Sequence, residues 1–275
     1  MSNTIRLACL QMNSTANVEQ NLEFIDAQLK IAKQSDVDLI QFPENFAQMP
    51  AHKKQQHMEK PGSGLVQNFL ADKSNEFKIQ IIAGSIPIQN NEGDKPFARC
   101  LVFDAFGECI AQYDKIHLFN VDLANGDKYR ESDTYSDGSL AEQNIRPIKT
   151  PLASLGLSIC YDLRFPEHYR ELVLNGAEIL CVPSAFTYET GEAHWQTLLQ
   201  SRAIENLSFV MAAAQVGTHE NGRTTWGHSM IINPWGEMLG QLTDEIGLLI
   251  TEINLDSLVK LRTEFPALTH RRLSL

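Results

Sequence analysis

An internal repeat restricts the fold of this chain more than any other feature of its sequence. Asp38–Phe46, DLIQFPENF, matches Glu178–Phe186, EILCVPSAF, at a shift of 140 residues that sets Pro43 on Pro183 and Phe46 on Phe186. A later pair matches better. Cys100–Ile110, CLVFDAFGECI, aligns with Ser229–Leu239, SMIINPWGEML, at a shift of 129, with Gly107 on Gly236 and Glu108 on Glu237. The same shift of 129 brings Ile81–Gly84, IIAG, onto Val210–Ala213, VMAA. Two copies are too few to stack as a solenoid or close as a propeller. They suit a pseudo-twofold body whose equivalent halves pack against each other. With 275 residues, no Gly/Ser-rich linker and no low-complexity run, the chain reads as one domain over residues 1–275.

Each half alternates helical and strand patterns. Asn17 is placed to cap a helix, with Gln20 at the third position as in a capping box, and Leu22, Ile25 and Leu29 recur at helical spacing. Asp38–Phe42 reads as a short apolar strand, Ser63 as the cap of a second helix through Leu70, and Ile79–Ala83 as the next strand. DAFGE and NPWGE read as tight turns between strands, where Gly107 and Gly236 supply the unusual dihedrals. In the second half Gly156–Ile159 and Ile179–Val182 are strands, and Pro166 suits the first turn of a helix. A helix near His194–Leu207 and a strand Phe209–Ala213 follow. Two mixed sheets packed face to face with helices outside would bury both sets of apolar strands, so the expected fold is a four-layer α-β-β-α sandwich.

The formal charge of −11 disfavours a nucleic-acid surface or an anionic membrane as partner. No apolar run reaches the ~18 residues of a membrane span, and MSNTIRLACLQM lacks a basic segment followed by a hydrophobic signal core. The five cysteines, Cys9, Cys100, Cys109, Cys160 and Cys181, are odd in number, scattered and without a CxxC pair, a pattern of a reducing cytoplasm rather than of a disulfide framework. The eight histidines form no HxH or HxxxH pair, so neither a metal nor another cofactor is expected.

Three chemically suggestive residues stand just beyond strand ends, where ligands of α/β sheets gather. Glu44 follows its strand in FPENF, Lys115 follows the strand around Glu108–Gln112 in YDKIHLF, and Cys160 ends its strand in GLSICYDLRFPE. A cysteine in a strand is ordinarily a small buried hydrophobe, and Cys9 and Cys181 are read that way. Cys160 differs because a chain break and a helix start follow it at once, which lifts the sulfur from the sheet and aims backbone N–H groups at whatever it attacks. A thiol of pKa about 8.5 still needs a base. No histidine lies in a suitable motif, and His168, inside the predicted helix, is read as a surface residue. A buried Glu44 whose pKa desolvation raises could serve, with Lys115 stabilising a thiolate or an oxyanion. The alternative is that Glu44 and Lys115 belong to solvated faces.

FPENF, YDKIHLF and GLSICYDLRFPE, in this order and at this spacing, resemble the three motifs of the nitrilase superfamily of carbon-nitrogen hydrolases, over essentially the whole chain. The resemblance implies the duplicated α-β-β-α fold, Glu44 as general base, Lys115 as electrostatic stabiliser, Cys160 as nucleophile and a second glutamate, Glu131 in KYRESDTY. It also implies that the backbone N–H of Tyr161 serves the oxyanion. Tyr161-Asp162 stands where true nitrilases have Trp-Glu, and there is no P-loop domain of the NAD synthetases. CYDLRFPE, SAFTYETGEAHWQTLLQSRAIEN and WGHSMIINPWGE look like the branch acting on deaminated glutathione, with the ω-amidases of α-ketoglutaramate close by. Trp226, where tyrosine is frequent, and Asn233, where aspartate is frequent, depart from that branch without touching the triad.

Both substrates carry an α-keto acid at one end. Arg164, four residues beyond Cys160, could bind its carboxylate in a fork, or could instead pair with Asp162 or Glu167. The resemblance implies that Phe186 and Thr190 line the same pocket, although Phe186 could equally be core. It further implies a homodimer, with the tail Leu261–Leu275 at the interface. Other readings are a different small-amide or N-carbamoyl hydrolase, and a scaffold without activity.

Overall fold

The computed structural model describes residues 3–51, 56–91, 93, 95–123, 126, 128–138 and 145–273. In the first half run β1 (Thr4–Gln11), α1 (Val18–Gln34), β2 (Leu39–Phe42), α2 (Leu65–Phe77), β3 (Gln80–Ile88), β4 (Phe97–Phe103) and β5 (Cys109–Asp114). A small hairpin of β6 (Asn120–Asp122) and β7 (Lys128–Arg130) leads to β8 (Ile148–Lys149). The second half runs β9 (Ser154–Leu157), α3 (Pro166–Leu174), β10 (Ile179–Cys181), α4 (Tyr188–Asn206) and β11 (Phe209–Ala212). A second hairpin of β12 (Val216–Thr218) and β13 (Thr224–Trp226) precedes β14 (Met230–Ile232) and β15 (Met238–Gln241), and the described chain ends with β16 (Gly247–Asn254) and α5 (Leu255–Glu264).

The repeat read from sequence is a repeat of topology. One six-stranded sheet has the order β16-β1-β2-β3-β4-β5 and the other β15-β14-β11-β10-β9-β8. In each, three parallel strands (β1, β2, β3 or β9, β10, β11) are followed by two antiparallel ones. The halves are tied by β16, which leaves the second half to pair antiparallel along all of β1, from Thr4 opposite Asn254 to Gln11 opposite Gly247. The matched turns are alike atom for atom. Asp104 Oδ1 accepts from the N–H groups of Phe106 and Glu108 at 2.9 and 3.0 Å, and Asn233 Oδ1 from those of Trp235 and Glu237 at 2.9 Å each. Asn233 therefore performs the same turn that Asp104 performs in the first half.

The layers follow from strand periodicity. Leu7 and Cys9 of β1, Leu39 of β2 and Ile82 of β3 join Leu155, Leu157 and Cys181 of the opposite sheet in a buried inter-sheet core. Their neighbours Ala8, Leu10, Ile40, Ile81 and Ala83 point the other way, onto Leu22, Ile25 and Leu29 of α1 and Val66 and Leu70 of α2. Tyr169, Leu172, Leu199 and Ala203 of α3 and α4 cover the outer face of the second sheet. The result is the expected α-β-β-α sandwich, with Cys9 and Cys181 as inert core residues.

Local details depart from the sequence reading. Asn17 caps α1 by accepting from Gln20 N–H at 2.9 Å, but the N–H of Asn17 is taken by Thr15 Oγ1 at 3.1 Å, which replaces the return arm of a capping box. Ser63 does not cap α2, and the helix continues past Leu70 to Phe77. Its first free N–H groups, of Val66 and Gln67, are accepted at 2.7 and 3.2 Å by the buried carboxylate of Glu59. The helix expected near His194 starts six residues earlier, at Tyr188. His168 is buried rather than on the surface, with its Nε2 3.0 Å from the carbonyl oxygen of Leu157, because α3 turns this face onto the sheet. Among the described residues no helix is long and apolar enough to cross a membrane.

Candidate active site

The connections after β2, β5, β7, β9 and β10 converge at one end of the sandwich. Glu44 lies two residues beyond β2 and Lys115 directly beyond β5. Glu131 follows β7 and Cys160 follows β9 within three residues. These four, with Tyr161, Arg164, Phe186 and Thr190, line a single cavity of about 320 Å³, so every site residue expected from sequence is brought to one place.

Lys115 is the hub. Its Nζ lies 2.7 Å from Glu44 Oε1 and 2.8 Å from Glu131 Oε1, in surroundings that leave Lys115 only 1% exposed. The second oxygen of each carboxylate is also committed. Glu44 Oε2 accepts from Ala185 N–H at 2.8 Å and Glu131 Oε2 from Phe119 N–H at 2.6 Å. The Cys160 thiol faces Glu44 closely enough that each acts on the ionisation of the other. A buried charge set of this kind persists only when paired and hydrogen-bonded, and here the ammonium is paired with both carboxylates and each carboxylate oxygen has a donor.

Cys160 opens a five-residue 3-10 turn, Cys160–Arg164, with a φ of 48° that an L-residue adopts at a cost. The turn is held by Cys160 N–H donating to Pro183 O at 2.9 Å. The N–H of Tyr161, second in the turn, is of the kind that a helical turn leaves without an internal partner.

The pKa of Glu44 shifts in the direction opposite to the sequence expectation. Burial acts to raise the pKa of Glu44, but the charge and hydrogen bond of Lys115, helped by the charge of Arg223, outweigh it and hold the carboxyl below its ordinary value. Burial and the facing Glu44 charge push the Cys160 thiol well up, against the pull of Lys115. Lys115 is pinned charged: burial opposes this, but Glu131 and Glu44 prevail. These directions favour a carboxylate beside a thiol, a base already ionised on the side of the site that Cys160 faces.

Arg164 makes no ion pair with Asp162 or Glu167. Its guanidinium lies 6.0 Å from the Tyr161 ring and 5.6 Å from the Phe186 ring, with Nη2 3.3 Å from His194 Nδ1. Phe186 is buried against Trp195, at 4.9 Å between rings, and also lines the cavity, so both of its readings hold. Thr190 Oγ1 lies 2.7 Å from Thr187 Oγ1. Trp226 stacks on His228 at 4.1 Å and abuts Gly191 of α4.

Tyr135 and Arg223 escaped the sequence reading, and Asp162 entered it only as a branch marker and a possible partner of Arg164. Tyr135 lines the cavity and receives a hydrogen bond from Gln56. Arg223, from the β12–β13 hairpin, donates to Ala185 O. Asp162, fully buried, accepts from Ile159 N–H at 2.8 Å, from His117 N–H at 3.0 Å and from the Tyr113 hydroxyl at 2.7 Å. None sits in a pattern with a period, and the only signal for Asp162 was its place in CYDLRFPE. Among the described residues no group of three or more His, Cys, Asp or Glu side chains could hold a metal ion.

The carbon-nitrogen hydrolase family model matches residues 6–263. A relative from Yersinia enterocolitica, deaminated glutathione amidase, is 40% identical over 271 residues, 97% of this chain and 92% of its own. Among solved structures, the Caenorhabditis elegans NitFhit protein superposes with a TM-score of 0.88 at 31% identity, over 98% of this chain and 66% of its own. Saccharomyces cerevisiae Nit3, a member of branch 10 of the nitrilase superfamily, superposes with a TM-score of 0.86 at 27% identity, over 98% and 97%.

Proposed function

The chain belongs to the carbon-nitrogen hydrolase family and hydrolyses carbon–nitrogen bonds, and on that premise we propose that it cleaves the amide of a small α-keto acid, deaminated glutathione above all, through a thioester on Cys160. The observation that carries the reading is the convergence of Glu44, Lys115 and Cys160 on one cavity, with Lys115 Nζ 2.7 Å from Glu44 Oε1. The sulfur attacks the amide carbonyl as its proton passes to Glu44, so that no free thiolate accumulates in the buried site. Lys115 Nζ and the N–H of Tyr161 receive the oxyanion. Glu44 returns the proton to the departing nitrogen, the C–N bond breaks, and amine and thioester remain. Water then gives its proton to Glu44 and attacks the thioester, releasing the acid and restoring the thiol. Glu131, whose oxygens are taken by Lys115 and Phe119, positions Lys115.

Arg164 suits the carboxylate of the keto acid, having no carboxylate of its own among the described residues, while Phe186 and Thr190 shape the acyl pocket. From deaminated glutathione the products are α-ketoglutarate and cysteinylglycine. The test is release of α-ketoglutarate from deaminated glutathione and, separately, from α-ketoglutaramate, by the wild type and by Cys160→Ala. A higher kcat/KM for deaminated glutathione and an inactive variant support the proposal. Preference for α-ketoglutaramate would make the enzyme an ω-amidase, and an active Cys160→Ala would remove the nucleophile.

We also propose a homodimer in the cytoplasm. Trp235 and Phe265, 58% and 49% exposed, meet edge to face at 5.8 Å beside the tail expected at the interface, of which Ser274 and Leu275 lie outside the described residues. Five free thiols, one of them a nucleophile, suit a reducing compartment. A monomeric mass by light scattering, or Cys160 recovered from cells in a disulfide, would contradict these two points respectively.

A further inference from the structure

Three arginines line the catalytic cavity: Arg130 is paired with Asp122, Arg164 has been given a task, and Arg223 has none. Arg164 lies over Phe186 on the acyl side, whereas Arg223 lies on another wall, its guanidinium 5.6 Å from the ring of Tyr129. Arg223 donates Nη2 to Ala185 O, makes no ion pair among the described residues, and its Nε is buried without a hydrogen-bond partner there. A buried, unanswered donor on a charged group is costly unless something arrives to meet it. The influence of Glu44 on Arg223 does not remove this demand, because that carboxylate already accepts from Lys115 and Ala185.

Lys128, Tyr129, Thr187 and Arg223 line both the cavity and a neighbouring outer groove of about 690 Å³, and so form a throat between the two. Two cations thus flank the throat, and Glu189 is the one acid among the described residues lining the groove. In a chain of formal charge −11, such a local concentration of positive charge favours an anion against the overall field. An amide hydrolase must hold the acyl part on one side of the attacked carbon and the amine part on the other. With the acyl carboxylate at Arg164, the amine part points into the throat.

We infer that Arg223, assisted by Lys128, is a specificity-determining site for a carboxylate on the leaving amine, so that the preferred substrates are α-keto acid amides of an amino acid or short peptide with a free C-terminus. This deepens the reading above and rests on its placing of the acyl end at Arg164. It separates a substrate with a charged leaving group from a primary amide, whose ammonia leaves the throat unused.

The experiment compares deaminated glutathione with its analogue in which the terminal carboxylate is a carboxamide, using wild type, Arg223→Met and Arg223→Lys. In the wild type the carboxamide should lower kcat/KM on the order of 10- to 100-fold, the size of a charge-assisted hydrogen bond. In Arg223→Met the two substrates should converge to within about 3-fold, by the loss of that same contact, while Arg223→Lys keeps part of the preference. Any effect of Arg223 on Glu44 is common to both substrates and cancels in the ratio. A wild type that treats the two alike, or an Arg223→Met enzyme that keeps the full wild-type ratio, overturns the inference and leaves the proposed activity standing. Hydrolysis of neither substrate by an enzyme that cleaves other amides overturns the substrate reading and the inference with it.

Discussion

Tyr113 donates its hydroxyl hydrogen to the buried carboxylate of Asp162 at 2.7 Å, joining the strand that delivers Lys115 to the turn that delivers Cys160. Asp162 reaches both sides of the reacting pair, because His117, two residues after Lys115, and Ile159, one before Cys160, donate to the same carboxylate. Burial alone would raise its pKa, but the bond from His117, the charge of His168 and the remaining donors hold it low.

Asp162→Ala should therefore cost both stability and rate. Several buried donors lose their acceptor at about 1–3 kcal/mol each, so a loss of at least about 3 kcal/mol is expected, with kcat down by more than about tenfold as Lys115 and Cys160 lose their mutual placement. Urea denaturation and steady-state kinetics check this. A variant as stable as wild type would show that the network holds nothing.

Glu44→Gln keeps the shape of the site and removes the base. A fall of about 10²–10⁴ in kcat/KM is expected, as for loss of a general base. Alkylation of Cys160 by iodoacetamide should slow as well, since the neutral thiol loses its proton acceptor, while the exposed Cys109 should react as before. Equal labelling of Cys160 in both proteins would mean that Glu44 does not activate the sulfur.

Stability should decline on acidification in two stages. Burial depresses the pKa of His168 and His219 from the ordinary 6.5, so the unfolded chain takes up protons that the folded one refuses. Stability is thus lost as pH falls below about 6.5. Glu44 and Asp162, also depressed, add a second decline as pH drops below the ordinary carboxylate range, when the unfolded chain protonates first. Urea midpoints from pH 8 down to about pH 2 test both stages. His168→Gln should flatten the first, and one cooperative transition is expected if residues 1–275 form a single domain.

Gly84→Ala should damage the site from behind. Gly84 has a φ of 25°, and a Cβ there would lie 1.9 Å from the carbonyl oxygen of Pro43, the residue before Glu44. Backbone must move to admit it, so a cost of about 1–3 kcal/mol or more and a clear loss of kcat are expected. Wild-type activity in Gly84→Ala would show that the β2 connection tolerates displacement.

The duplicated sheets, the cap at Asn17, the turns at Asp104 and Asn233 and the convergence of Glu44, Lys115 and Cys160 were legible in the sequence, because each is carried by local chain chemistry or by a motif at a strand end. What escaped depended on partners remote in the chain. Glu59 caps α2 although Ser63 is nearer in sequence, since only the folded loop presents a buried carboxylate to those N–H groups. His168 is buried because of the sheet beneath α3, and Asp162 and Arg223 acquire their meaning from residues about 40 or more positions away. The sign of the pKa shift of Glu44 escaped for the same reason. Residue type and burial alone predict a raised pKa, whereas the sign is set by a charged Lys115 lying 2.7 Å away, a distance that only packing the two halves together creates.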